Sequence, residues 1–265
     1  LIDLLADRGH TTLVVHAILD GRDTAPKAAL TSIQRIESRL NHHQCGHIAS
    51  LCGRFYAMDR DQRWDRTEAA FDLYTQSNAA KTAESAQAAI QSAYKQNQLD
   101  EFILPVSIQH GGSHNVIEAD HQLLLFNFRA DRMRQMTAAL AQEDFTGFDR
   151  GTFTPISKTV CMTEYQSSFQ LPVLFPKPMI PDTLGETLSA HQLRQHRIAE
   201  TEKFAHVTYF LNGGREEAFD QEERLLIPSD KVATYDLKPQ MQAEAITDAI
   251  TDLIKEQQSD VIIAN

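Results

Sequence analysis

The chain has 265 residues, 42% of them hydrophobic, enough for one large or two ordinary domains with their own cores. Its 25 Lys and Arg against 36 Asp and Glu give a formal charge of −11, which argues against a non-specific nucleic-acid surface and requires any anion site to be built locally from clustered arginines. Three cysteines, Cys45, Cys52 and Cys161, form an odd, sparse set that suits a reducing compartment, and no apolar run approaches the roughly 18 residues of a membrane span or the pattern of a signal peptide.

The chain opens without Met in a helix-like "LIDLLADRG" and closes on the strand-like "DVIIAN", which reads as a fragment of a longer protein. "TTLVVHAIL" is a short β-branched run and predicts a strand. After Pro26, Leu30, Ile33, Ile36 and Leu40 recur at helical spacing. "GHIASLCG" reads as the next strand, and Arg66 to about Gln98 as Ala-rich helix broken near "QSNAAKT". "FILPVSI" and "QLLLFNF" read as further strands, the second running straight into a helix, "ADRMRQMTAALAQ". This alternation predicts an α/β fold with function at the loops that follow strands.

Four prolines between Leu171 and Pro181 mark the best linker. Beyond it the pattern predicts a helix in "DTLGETLSAHQL", a strand in "HVTYFLN", a glycine turn, a helix in "QMQAEAITDAITDLIKEQ" and the terminal strand. That is the start of a second α/β unit, too short to close its own sheet.

Three segments carry candidate chemistry. In "LDGRDTAP", Arg22 and Asp23 lie between a strand and a helix, where a guanidinium grips a carboxylate or phosphate and a carboxylate accepts from a hydroxyl or takes its proton. The same residues also make a good turn, Asp20-Gly21, with Asp23 or Thr24 as helix cap. "GRFYAMDRDQRWDR" packs Arg54, Arg60, Arg63 and Arg66 beside three aromatics. If its second half is helical, Arg60 and Arg63 share a face; against a binding role, Asp59, Asp61 and Asp65 are close enough in sequence to neutralise them. "FNFRADRMRQ" places Arg129 and Arg132 at a helix start, where cations need a compensating anion, either a ligand or Asp131. "NHHQCGHIASLC" matches no standard zinc spacing, and the "NGG" at 212–214 is a turn first. Three arginine loops converging at one sheet edge would bind a small polyanion with more than one acidic group; the residues alone name no reaction.

Taken together, "HAILDGRDTAP", "CGRFYAMDRDQRWDR", "FNFRADRMRQ", "AETEKFAHVTYFLNGG" and "KVATYDLKPQM" resemble the cofactor-independent (2,3-bisphosphoglycerate-independent) phosphoglycerate mutase family, in order and across nearly the whole chain. The resemblance departs in "QHGGSHNVIEADHQLLL". It implies an inserted α/β transferase domain over residues 1–175, with a central sheet flanked by helices, and over residues 176–265 an incomplete piece of an alkaline-phosphatase-like domain. By position it implies substrate contacts at Arg22, Asp23, Arg54, Arg60, Arg129, Arg132 and Lys203. The implied reaction is the glycolytic interconversion of 3- and 2-phosphoglycerate through a phosphoserine, with two Mn2+. The family's nucleophile and metal ligands map outside Leu1–Asn265, so the expectation is that no catalytic nucleophile or metal ligand lies in this chain and that it is inactive alone. The full-length protein is expected to be a cytoplasmic monomer with a small-molecule substrate and neither nucleic-acid nor membrane partners. The competing readings are a non-catalytic domain binding phosphorylated metabolites and another phosphomutase of the alkaline phosphatase superfamily.

Overall fold

The computed structural model describes every residue except 77, 80, 110–115, 177, 179 and 233. The expected break at "QSNAAKT", the departing "QHGGSHN" loop, the middle of the proline-rich segment and one position of "KVATYDLKPQM" therefore lie partly outside the described residues. The chain divides into two compact units, Leu1–Phe175 and Pro176–Asn265.

In the first unit a short helix, α1 (Ile2–Asp7), precedes β1 (Leu13–Leu19), whose β-branched residues favour the extended chain. Helix α2 (Ala29–His43) turns Ile33 and Leu40 fully inward and packs Leu30 and Ile36 against the same core, as the spacing predicts. Its N-terminus has no cap of its own: Ala29 N–H donates to the Asp100 carboxylate at 2.9 Å, so Asp23 and Thr24 do not cap it. It ends at Gln44 in the left-handed region, φ 48°. Strand β2 (Gly46–Gly53) follows and is buried along most of its length, then a single helical turn, α3 (Arg54–Ala57), and α4 (Trp64–Gln76).

Residues 59–63 are not helical, so Arg60 and Arg63 do not share a helix face. The Asp59 carboxylate holds that loop by accepting the N–H groups of Asp61 and Arg63, each at 3.0 Å. Lys81–Ala83, at the end of the break expected near "QSNAAKT", is a short strand, β3, paired in parallel with β4 (Val106–Ile108); α5 (Ala86–Lys95) lies between them, capped by Ser85. Strand β5 (Leu123–Leu125), α6 (Ala130–Ala141) and β6 (Thr159–Cys161) complete the unit.

Among the described residues, one sheet runs β1-β2-β4-β3, with β1 parallel and β4 antiparallel to β2, and a second pairs β5 with β6 in parallel. Two cores form around them. Ile33, Leu40, Leu51 and Ile90 join α2 and α5 to the larger sheet, while Phe71, Met133, Met136, Leu140 and Tyr165 join α4 and α6 to the smaller. Each such side chain contributes about 1.5–3 kcal/mol by leaving water.

The second unit contains α7 (Leu184–Ala190), β7 (Gln195–Glu200), α8 (Thr201–Ala205), β8 (Glu222–Ile227), α9 (Ala243–Lys255) and β9 (Val261–Ala264), with a parallel sheet ordered β8-β7-β9 among the described residues. "HVTYFLN" is not a strand. His206–Phe210 continues α8 as a wider helical turn, and Thr208 Oγ1 donates to the Phe204 carbonyl at 2.7 Å. The strand is "QHRIAE" instead, whose two edges are already taken by β8 and β9, so the β-branched run finds no strand to pair with.

Candidate functional site

Strands β1, β2 and β5 each end in a charged loop, and these loops meet. After β1 the chain turns at Gly21, φ +72°, where an added Cβ would lie 2.9 Å from Asp100 Cβ. The Asp20 carboxylate accepts the N–H groups of Arg22 at 3.3 Å and Asp23 at 3.2 Å, so the Asp20-Gly21 turn read from sequence is present. After β2, Gly53 runs so close to the Glu101 carbonyl that a Cβ would sit 2.1 Å from its oxygen. That approach sets Arg54 inward, 4% exposed. After β5, Arg129 stands at the start of α6, its N–H donating to Asn127 Oδ1 at 2.8 Å.

A continuous chain of ion pairs links the loops. Arg54 Nη1 donates to Asp20 Oδ1 at 2.6 Å and to Asp23 Oδ2 at 2.9 Å. Asp23 Oδ2 also accepts from Arg129 Nη1, and Arg129 Nε lies 4.0 Å from the buried Asp131. Asp131 in turn accepts from Arg60 Nη1 at 2.7 Å. Asp131 thus supplies an anion to Arg129 at the start of α6, as the competing reading of that motif had it. Yet the same pairs draw Arg54, Arg60, Arg129 and Asp23 into one cluster, which separate surface pairs would not do.

Electrostatics follow from this packing. The Arg54 hydrogen bond, with Arg129 beside it, holds the Asp23 carboxyl below its ordinary value. Burial pushes Asp20 upward, but the Arg54 guanidinium and two backbone N–H groups outweigh it and the net shift is down. Burial lowers Arg54, and its two aspartates more than restore it. Near neutral pH, Asp23 is therefore an anionic hydrogen-bond acceptor and a weak base. Arg54 Nη2 is buried without a hydrogen-bond partner among the described residues. Such a donor costs about 1–3 kcal/mol, which an anionic ligand oxygen would recover.

The remaining expected residues lie differently. Arg132, buried on α6, donates to the Met58 carbonyl at 3.3 Å. Arg22 Nη1 lies 3.7 Å from the Glu101 carboxylate. Lys203 lies on α8 of the second unit, half-buried. Arg66 stacks 3.7 Å over the Phe55 ring and pairs with Asp59 at 3.6 Å, a packing role. Sequence reasoning missed the buried Gln135, which accepts from Gln62 N–H at 2.6 Å and donates to Asp59 Oδ2 at 2.9 Å, tying the Arg60 loop to α6. It also left Asp20 as a turn residue only. The single signal for Asp20 was its position directly after a strand.

Residues 1–167 match the family model described as the BPG-independent PGAM N-terminus. A 2,3-bisphosphoglycerate-independent phosphoglycerate mutase from Coxiella burnetii is 48% identical over 266 residues, covering all of this chain and 51% of that protein. A second, from Methanosarcina barkeri, is 44% identical over 277 residues, covering all of this chain and 53% of that protein. Among solved structures, the phosphoglycerate mutase of Leishmania mexicana at low cobalt concentration superposes with a TM-score of 0.92 at 30% identity, over all of this chain and 50% of that one. The chain thus spans about half the length of the curated relatives it matches.

Proposed function

Because the chain belongs to the BPG-independent phosphoglycerate mutase family, we propose that it supplies the substrate-binding portion of an enzyme interconverting 3-phosphoglycerate and 2-phosphoglycerate. One observation carries this reading. The buried Arg54 shares Asp23 with Arg129 and keeps a second nitrogen, Nη2, without a partner among the described residues.

A doubly acidic three-carbon acid suits that arrangement. Arg54 and Arg129 fork onto one acidic group, Arg60 and Arg132 add positive charge from the neighbouring loop and helix, and Asp23 accepts from the glycerate hydroxyl and orients it. Arg22 joins if its exposed side chain leaves Glu101. Lys203 is assigned, on family likeness, a charge near the moving phosphoryl group. Transfer itself runs through a serine that we place outside these residues. Holding glycerate between the two half-reactions keeps a mutase from becoming a phosphatase.

The complete enzyme's two Mn2+ ions do not fit here. Asp20, Asp23 and Asp131 each engage a guanidinium, and a divalent cation among those arginines would be repelled. Among the described residues the one cluster of metal-type side chains, Glu118, Asp120 and His121, is exposed. No helix among the described residues is long and apolar enough to cross a membrane. On family likeness alone, we assign the complete enzyme to the cytoplasm as a monomer. The 265-residue chain by itself binds without turnover.

Calorimetric titration with 3-phosphoglycerate tests the reading. The wild-type chain should bind it, and Arg54→Met should weaken binding strongly; equal affinity in a folded variant removes Arg54 and the reading with it.

A further inference from the structure

Arg54 and Arg129 share Asp23 but are held in different ways. Arg54 is buried, so packing fixes its guanidinium. The Arg129 side chain is 37% exposed, and Phe126 and Phe128, which lead to it from β5, are each 61% exposed. Burial therefore does little to set the bend that places Arg129, and α6 has no side-chain cap bond there. Two side chains supply the hold instead. The Tyr165 hydroxyl lies 2.8 Å from the carbonyl oxygen of Leu125, the last residue of β5, and 2.6 Å from that of Asn127 in the bend. The Tyr165 ring is buried in the core that contains Met133 and Met136 of α6, and its carbonyl accepts from Arg134 Nε at 3.0 Å. Asn127 passes this hold to Arg129: its Oδ1 accepts the Arg129 N–H, an Asx turn, and its Nδ2 donates to Met58 Sδ at 3.6 Å, just after α3.

We propose that Tyr165 and Asn127 are positioning residues for Arg129, fixing its backbone so that its guanidinium reaches the acidic group gripped by Arg54. This role rests on the substrate-binding reading above, and neither side chain is assigned a contact with the ligand. An arginine on an exposed bend loses conformational freedom when it binds, and a bend held in advance lowers that cost. Phenylalanine in place of Tyr165 fills the same core space and removes only the hydroxyl. The Leu125 oxygen would keep the N–H groups of Asn127 and Met162, both at 3.1 Å, so the loss falls on Asn127 and on the turn leading to Arg129.

Calorimetry with 3-phosphoglycerate in a double-mutant cycle tests this. Tyr165→Phe should weaken binding about three- to tenfold in the otherwise wild-type chain, and less than about twofold in an Arg129→Met background, because its effect runs through Arg129. Equal weakening in both backgrounds, as a general loss of stability would give, overturns the proposal, and so does unchanged affinity in a folded Tyr165→Phe chain. Should Tyr165→Phe not fold, Asn127→Ala in the less buried bend takes its place, with the same two outcomes. NMR relaxation of the arginine Nε–H groups reads the ligand-free protein as well. Either variant should increase motion at Arg129 and leave Arg54 unchanged; motion at Arg129 equal to the wild type, or matched loosening at both arginines, overturns the proposal. Absence of 3-phosphoglycerate binding by the folded wild-type chain strikes the substrate reading instead, and the relaxation result then decides the positioning role alone.

Discussion

Asp23→Asn removes the charge in the cluster that is both exposed and shared. In the free protein Asp23 Oδ2 lies 2.9 Å from Arg54 Nη1 and also accepts from Arg129, so an entering anion must displace it or sit beside it. Asparagine keeps the shape and removes the competitor, while Arg54 retains Asp20 at 2.6 Å and stays in place. Two unit charges about 4 Å apart interact by about 1 kcal/mol in water and about 4 kcal/mol at an effective dielectric of 20. With Asp23 59% exposed, the lower part of that range applies. Relief of about 1–2 kcal/mol tightens inorganic phosphate binding by about 5–30-fold. For 3-phosphoglycerate the gain is offset by the lost hydroxyl acceptor, about 1 kcal/mol, so preference shifts toward free phosphate. Calorimetry at low ionic strength reads both affinities, and at about 0.5 M salt the gain should shrink as screening grows. Equal or weaker phosphate binding by a folded Asp23→Asn variant would mean that these arginines are not where the anion goes.

Arg54→Met should weaken 3-phosphoglycerate binding by about 1.5–3 kcal/mol, the worth of a hydrogen bond to a charged group, as read by the same titration. Gln135→Leu leaves Gln62 N–H without its acceptor and should destabilise the first unit by about 1–3 kcal/mol in urea; no change there would show that the Arg60 loop is held otherwise. His16 sits against Tyr74 with its Nδ1 2.7 Å from Ser50 Oγ, and burial lowers its pKa to about 4. Folding thus favours neutral His16, and the stability this gives is complete above about pH 6.5 and lost as pH falls toward 4, at most about 3 kcal/mol and less for the ring's residual exposure. His16→Gln should flatten the thermal midpoint over that window, and an unchanged slope would contradict the assignment. Asp20 and Asp23, whose folded pKa values are depressed, instead lend stability above their unfolded values near 3.8 and lose it as pH falls below them, so Asp20→Asn should lower the thermal midpoint at neutral pH and flatten its fall on acidification below about pH 4.

Much of the first unit could be read from the chain because its signals were apolar and periodic. Leu30, Ile33, Ile36 and Leu40 marked α2, the β-branched "TTLVVHAIL" marked β1, and "GHIASLCG" read as β2. The second unit hid its central strand. β7 is "QHRIAE", buried at every position, and its polar side chains are bonded internally: Gln195 to the Gly185 carbonyl, Arg197 to Gln195, Glu200 to Ser229. A strand made of buried polar residues has no hydrophobic alternation to read. The more apolar "HVTYF" beside it took the strand assignment and turned out helical. At the site, the three arginine loops were visible as clusters, and what bound them was not. Arg60 meets Asp131 across 71 residues, and Arg129 meets Asp23 across 106. No local pattern encodes such pairings.

The most direct measurement is a crystal structure of the 265-residue chain with 3-phosphoglycerate bound. A phosphate or carboxylate oxygen should lie about 2.7–2.9 Å from Arg54 Nη2, with Arg129 on the same acidic group and a glycerate hydroxyl on Asp23. Ligand bound elsewhere at full occupancy, with Arg54 still engaging only Asp20 and Asp23, would contradict it.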